Sequence, residues 1–436
     1  MTKIEEKIIR ILLVLLILLS LYFSYNIWLD PSGKEVSETP ESTMVADKTP
    51  ASDIFLPMDL ISHQNGELFW VRGENLVSIF QEKLNHAKFG DLRVLVEGNE
   101  QDYLKELNRK NAFELLYEGN YLLSEYIKTF DLELNTGSSE MSHFPFRRVL
   151  VDYDGGVILF ANDQKNQIYE ATISMNYNEL LKKLKEKDVH FQKVSINHDV
   201  LKNRYYIDEP ITMKKYSYIL ASQPYTNFRD AFFTHPGDVT TNEETKDLIY
   251  TGDNNETMTI EEVSGSLRYR GTVERDSDKS SNIYNQSFPY VSRLGGVFSG
   301  IRYFNTSGEH TVIYRTFIEG FPVFSELSKG KVEVSATNIS GTETNITVET
   351  SVDTIQVPIP ADAEVTLPPT SEVVDSLINY GADLKKVDSI VVGYSWTSLN
   401  VKQVVDLMPT WFVHYDGKWL PYEELLNRLS EEGSEG

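Results

Sequence analysis

The sequence predicts an α+β protein: an N-terminal transmembrane helix followed by three mixed α/β extracytoplasmic domains with antiparallel sheets. Three observations carry that expectation. Ile11 to Leu29 is a run of 19 residues without a charge. Beyond it, apolar residues recur at alternating two-residue and three-to-four-residue spacing. Turn pairs such as Asp154-Gly155 and Asp416-Gly417 separate runs rich in β-branched and aromatic residues.

The uncharged run comes first. As a helix it spans about 28 Å, close to the hydrocarbon thickness of a bilayer. A signal peptide has a shorter apolar stretch and a small-residue cleavage site; here Tyr22, Phe23, Tyr25 and Trp28 occupy that zone. Lys3, Lys7 and Arg10 precede the run, and Asp30 and Glu35 bracket a single Lys34 after it, which places the N-terminus inside and the bulk outside. The expected order is a cytoplasmic tail over 1–7, a transmembrane helix over 8–29, a flexible linker over 30–52, and domains over 53–208, 209–305 and 306–436. Within the span, Ser20 and Ser24 share a helical face with Leu13, Ile17 and Ile27. Small residues at that spacing let a second helix approach; alternatively the two serines bond back to their own helix carbonyls.

In the first outer domain, 75–89 and 101–117 carry helical spacing, with strands expected over 147–153, 157–162 and 168–175 and a helix over 177–187. In the second, 211–222 reads as strand, 242–250 as a short acid-started helix, and 257–263 with 266–274 as a hairpin. In the third, 311–324, 331–337, 345–350 and 354–360 read as strands. There 371–381 reads as a helix with Ser371 as N-cap and Gly381 as its stop. Two more strands and a closing helix follow.

Composition narrows the chemistry. The net charge of −24 lies almost wholly beyond residue 29, and such a surface repels phosphate polymers, so nucleic acid is not an expected partner. With no cysteine there are no disulfides, thiol nucleophiles, thiolate metal sites or lipidated-cysteine anchor. The eight histidines show no H-E-x-x-H spacing, and no metal or cofactor is expected. Asp152-Tyr153-Asp154-Gly155 lacks the Gly and Glu that a calcium loop needs downstream, having Val157 and Asp163 there, and reads as a hairpin turn. Ser328-Lys329-Gly330-Lys331 fits S-x-x-K without the companion motifs of serine acyltransferases. The glycine-rich Leu294–Gly300 lacks phosphate-loop spacing. Aromatic residues gather near the C-terminus, and Trp396, Trp411 and Trp419 are candidates for a binding patch, with core filling as the alternative.

Several segments resemble one family, YycH, in order and over essentially the whole chain: Tyr25-Asn26-Ile27-Trp28, Phe228-Arg229-Asp230-Ala231-Phe232-Phe233, Gly320-Phe321-Pro322-Val323-Phe324, Gly393-Tyr394-Ser395-Trp396, Pro409-Thr410-Trp411-Phe412-Val413 and Gly417-Lys418-Trp419. The resemblance implies a non-enzymatic single-pass membrane protein of Gram-positive bacteria. With the related YycI, it would regulate the sensor histidine kinase WalK (YycG) of a cell-wall-homeostasis system. It further implies three outer domains, the last two YycI-like, and contacts of the transmembrane helix with the kinase and a YycI-like protein. That role would fall on Leu13, Ile17, Ser20, Ser24 and Ile27. The sign of regulation stays open, as do self-association, a sensor of an envelope ligand and an envelope hydrolase.

Overall fold

The computed structural model describes residues 13, 16, 48–73, 75–197, 201, 204–242, 247–253, 255–274, 282–338, 343–359, 363–399 and 403–434. The chain divides into two compact units, Met1–Val45 and Ala46–Gly436. In the first unit only Leu13 and Leu16 are described, both helical and exposed. The remainder of the expected transmembrane helix, including Ile17, Ser20, Ser24 and Ile27, and most of the linker lie outside the described residues. Among the described residues no helix is long and apolar enough to cross a membrane.

The second unit is α+β, and every pairing between its described strands is antiparallel except one. Its first sheet runs in spatial order Arg204–Ile207, His190–Asn197, Glu67–Arg72, Asp59–Gln64, Ala112–Leu122, Pro145–Asp152, Val157–Asn162, Gln167–Ser174 and Lys88–Phe89, with Arg93–Glu97 also on Gln167–Ser174. Asn65 and Gly66 both take positive φ, at 54° and 89°, which closes the first hairpin with the twist its strands need. The sheet is buried on both faces. On Pro145–Asp152, Val149 and Val151 face the main core under the helices Leu76–Asn85 and Leu123–Thr129, whereas Leu150 faces Tyr103 and Leu107 of the helix Glu100–Leu107.

The second sheet runs Thr240–Asn242, Asp247–Thr251, Thr257–Glu261, Ser266–Glu274, Glu343–Ser351, Lys331–Asn338, Thr311–Ile318, Phe321–Phe324, Val387–Leu399, Val404–Tyr415, Tyr216–Ser222 and Asp353–Ile359. Strand pairing runs across the expected 305/306 division. The strand Ile301–Ser307 passes through it, and Ser266–Glu274 pairs along its whole length with Glu343–Ser351. The single parallel contact joins Phe321–Phe324 to Val387–Leu399, with Val323 opposite Tyr394 and Phe324 opposite Ser395. Gly393 makes it possible: a Cβ there would lie 2.7 Å from the Pro322 carbonyl and 2.9 Å from the Phe324 ring.

Residues 53–208 join the later region through an aromatic seam. Phe55 stacks on Tyr121 at 5.0 Å, and the hydroxyls of Tyr284 and Tyr303 both donate to the Asn120 carbonyl, at 2.6 and 2.5 Å. Gly119 lets the chains approach: a Cβ there would meet Asn305 Oδ1 at 2.3 Å and Asn305 Cα at 2.8 Å.

Three local expectations are corrected. The helical spacing over 101–117 ends at Leu107, and Ala112–Leu122 is a central strand. Being buried on both faces, it shows a continuous apolar run in place of alternation. Of the expected helix over 242–250, the described residues are strand: Asn242 ends Thr240–Asn242, and Asp247–Thr251 is held by register with Thr257–Glu261, where pairing overrides local preference. The helix Thr370–Asn379 begins one residue before the expected Ser371 cap, and Thr370 Oγ1 accepts instead from the Ile207 backbone N–H at 2.9 Å. Gly381, at φ 83°, follows the end of that helix as expected.

Candidate functional site

Two features stand apart from ordinary core. The first is an open cleft of about 1170 Å³ between the polar face of the second sheet and the strands near the C-terminus. One wall carries Arg315, Lys331 and Glu333, alternating outward because Tyr314, Val332 and Val334 fill the core behind them. The other carries Trp396, Phe412 and Trp419. Phe324 and Phe412 stack with centroids 3.9 Å apart, and Trp419 lies against Phe324 at 5.5 Å. The Arg315 guanidinium sits 3.9 Å from the Phe324 centroid, a cation–π placement in a desolvated spot.

Arg315 is 6 % exposed, and burial pulls its pKa down to about 9 although Glu333 pulls the other way. Its Nη1 donates to the Val323 carbonyl at 3.1 Å, while its Nε has no hydrogen-bond partner. Glu333 is occupied by Lys331 at 2.8 Å, Lys329 by Asp353 at 2.9 Å, and Arg428 by Glu424. Among the described residues, no carboxylate lies within ion-pairing distance of Arg315.

The second feature is a buried ion network on the first sheet, where it faces the C-terminal strands. Arg148 Nη1 bonds Glu114 Oε1 at 2.8 Å and its Nε bonds Asp163 Oδ1 at 2.6 Å, with Arg147 Nη1 3.0 Å from Asp163 Oδ2. Tyr205 and Tyr103 donate their hydroxyls to Glu114 and Asp163, and His63 Nε2 is 3.4 Å from Glu114. Burial raises the pKa of Glu114, but Arg148, His63 and Tyr205 outweigh it and hold the carboxyl below its usual range. Asp163 behaves likewise through Arg148 and Arg147. Beside the network, burial pushes Asp59 up to about 6 even though Trp70 Nε1 donates to it at 2.9 Å. These charges are matched in place, which fits a polar layer that fixes how the two sheets meet.

The three candidate tryptophans separate. Trp396 and Trp419 both line the cleft, Trp396 mostly buried with its Nε1 donating to Ser398 at 3.0 Å. Trp411 does not line the cleft and is 2 % exposed, with its Nε1 on the Pro368 carbonyl at 3.0 Å. The S-x-x-K segment ends in the cleft wall, with Lys331 engaged by Glu333. Asp152 accepts from the amides of Asp154 and Gly155, the hairpin turn the spacing suggested. Sequence reasoning missed Arg315 and the ion network. The one signal for the network was Arg147-Arg148 inside a strand, Pro145–Asp152, that is otherwise apolar through Val151.

Comparisons with known proteins are consistent in direction. Residues 6–189 match the model of the YycH protein N-terminal domain and residues 202–427 that of its C-terminal domain. The chain is 22% identical over 453 residues to the two-component system WalR/WalK regulatory protein YycH of Bacillus subtilis (strain 168), covering 99% of this chain and 98% of that one. The fold is similar to the crystal structure of YycH from Bacillus subtilis, with a TM-score of 0.68 at 16% identity over 86% of this chain and 97% of that one. With two domain models matching in order along nearly its full length, the chain belongs to the YycH family.

Proposed function

We propose that the chain is a membrane-anchored, non-catalytic regulator of a WalK-type sensor histidine kinase in cell-wall homeostasis, acting together with a YycI-like protein. The carrying observation is the end-to-end match to a WalR/WalK regulatory protein, 99% of one chain on 98% of the other. The uncharged run Ile11–Leu29 supports anchoring, with Leu13, Ile17, Ser20, Ser24 and Ile27 as the face that packs on partner helices. The outer body, Ala46–Gly436, is one compact unit, as a part that transmits its position as a block must be. Two kinase states need differ in their contacts with it by only a few kcal/mol for output to change, roughly tenfold per 1.4 kcal/mol. The test replaces residues 11–29 with an unrelated anchor of equal length and measures kinase-dependent transcription. Regulation is expected to be lost with the protein still at the membrane; unchanged regulation rules out the membrane-helix mechanism.

One observation favours a second reading, a sensor of an envelope component: the 1170 Å³ cleft with Trp396 and Trp419 on its wall. In that reading the ligand biases the same kinase equilibrium.

A further inference from the structure

Beyond that role, we propose that the cleft binds an extended peptide segment, added as a strand along the open edge at Trp396–Ser398, with one of its carboxylates seated on Arg315. The edge comes from the way the parallel pairing ends. Val387–Leu399 has Phe321–Phe324 beside it only at Tyr394 and Ser395, while its other side continues to pair with Val404–Tyr415. After Phe324 the chain folds away, held by the Ser325 hydroxyl donating to the carbonyls of Leu327 and Lys329. Among the described residues, Trp396, Thr397 and Ser398 therefore have no strand on the cleft side. Thr397 and Ser398 are exposed, and the mouth of the cleft opens onto them.

Three properties select the occupant. An unpaired strand edge offers alternating N–H and C=O groups, a pattern that a polypeptide backbone matches and a sugar does not. The Arg315 guanidinium lines the cleft wall, more than nine-tenths buried, with no carboxylate within ion-pairing distance among the described residues, so a carboxylate on the occupant complements it. Leu327, also on the cleft lining, is 52 % exposed and offers a place for an apolar side chain of the same segment. Glu326 also lies on the wall, so the site favours a single carboxylate at Arg315 over a polyanion. A volume of about 1170 Å³ exceeds the usual range for small-molecule pockets, roughly 300–1,000 Å³, and suits a short peptide.

The test uses the full-length chain and calorimetric titration. The probe is an acetylated, amidated heptapeptide of alternating threonine and valine with glutamate at its centre. It is expected to bind, with about tenfold weaker binding when the glutamate is replaced by glutamine and no binding when alternate backbone amides are N-methylated. Arg315→Met is expected to erase the difference between the glutamate and glutamine peptides. Leu327→Glu, at an exposed position that leaves folding intact, is expected to weaken the glutamate peptide at least fivefold. The proposal is overturned if the peptide gives no binding at millimolar concentration, or if N-methylation leaves affinity unchanged. It is equally overturned if an N-acetylglucosamine tetramer binds where the peptide does not.

Discussion

Replacing Asp59 by Asn should make the protein more stable above neutral pH and leave it unchanged in acid. Asp59 opens the strand Asp59–Gln64 at the junction with the C-terminal strands, and Trp70 Nε1 donates to its Oδ1 at 2.9 Å. Burial raises its pKa from 3.8 to about 6; Glu118 adds to the rise, and the Trp70 bond, Arg302 and Arg147 oppose it. Between these values the folded chain holds a proton that the unfolded chain has released. Stability therefore falls as pH rises through about 4 to 6 and is flat above. At about 1.4 kcal/mol for each tenfold change in proton affinity, the loss is at most about 3 kcal/mol, less to the extent that water reaches this partly exposed carboxyl. Asparagine keeps the acceptor for Trp70 and removes the ionisation. Urea unfolding followed by tryptophan fluorescence at about pH 4, 5 and 7 should show the variant gaining on the parent by up to about 3 kcal/mol across that window. An equal difference at all three pH values, or a variant that loses ground as pH rises, is incompatible with a raised Asp59 pKa in the folded chain.

Other outcomes follow from the same geometry. Arg148→Ala leaves Glu114 and Asp163 buried without their main partner and should cost about 3–5 kcal/mol of unfolding free energy by urea denaturation. Gly119→Ala drives a methyl into Asn305 across the aromatic seam and should cost about 1–3 kcal/mol, a loss that a companion Asn305→Gly change recovers in part. Both are checked without any functional assay.

How much of this was legible in the sequence depended on what each residue's environment added. The hairpin at Val157–Asn162 was readable because Asp152 and Gly156 act locally: a carboxylate capping its own turn and a φ of 62°. Ala112–Leu122 was misread because strands on either side and cores on both faces removed its alternation, and only tertiary pairing made it a strand. The chain-order division at 305/306 looked natural, yet Ser266–Glu274 and Glu343–Ser351 meet across about 70 residues of sequence, which no local pattern encodes. The cleft was half visible. Aromatic density pointed to Trp396 and Trp419, but Trp396 and Trp411 share one face of their strand pair and only Trp396 reaches the cleft, while Arg315 looked like any strand arginine until Phe324 closed over it.

The proposed regulator works by lying beside a kinase in the membrane. Photocrosslinking from single positions of residues 11–29 in living cells, with the captured partner identified by mass, tests it most directly. Adducts with a WalK-type kinase or a YycI-like protein are expected from positions 13, 17, 20, 24 and 27, and few from the opposite face. Adducts distributed evenly around the helix, or to neither protein, would contradict it.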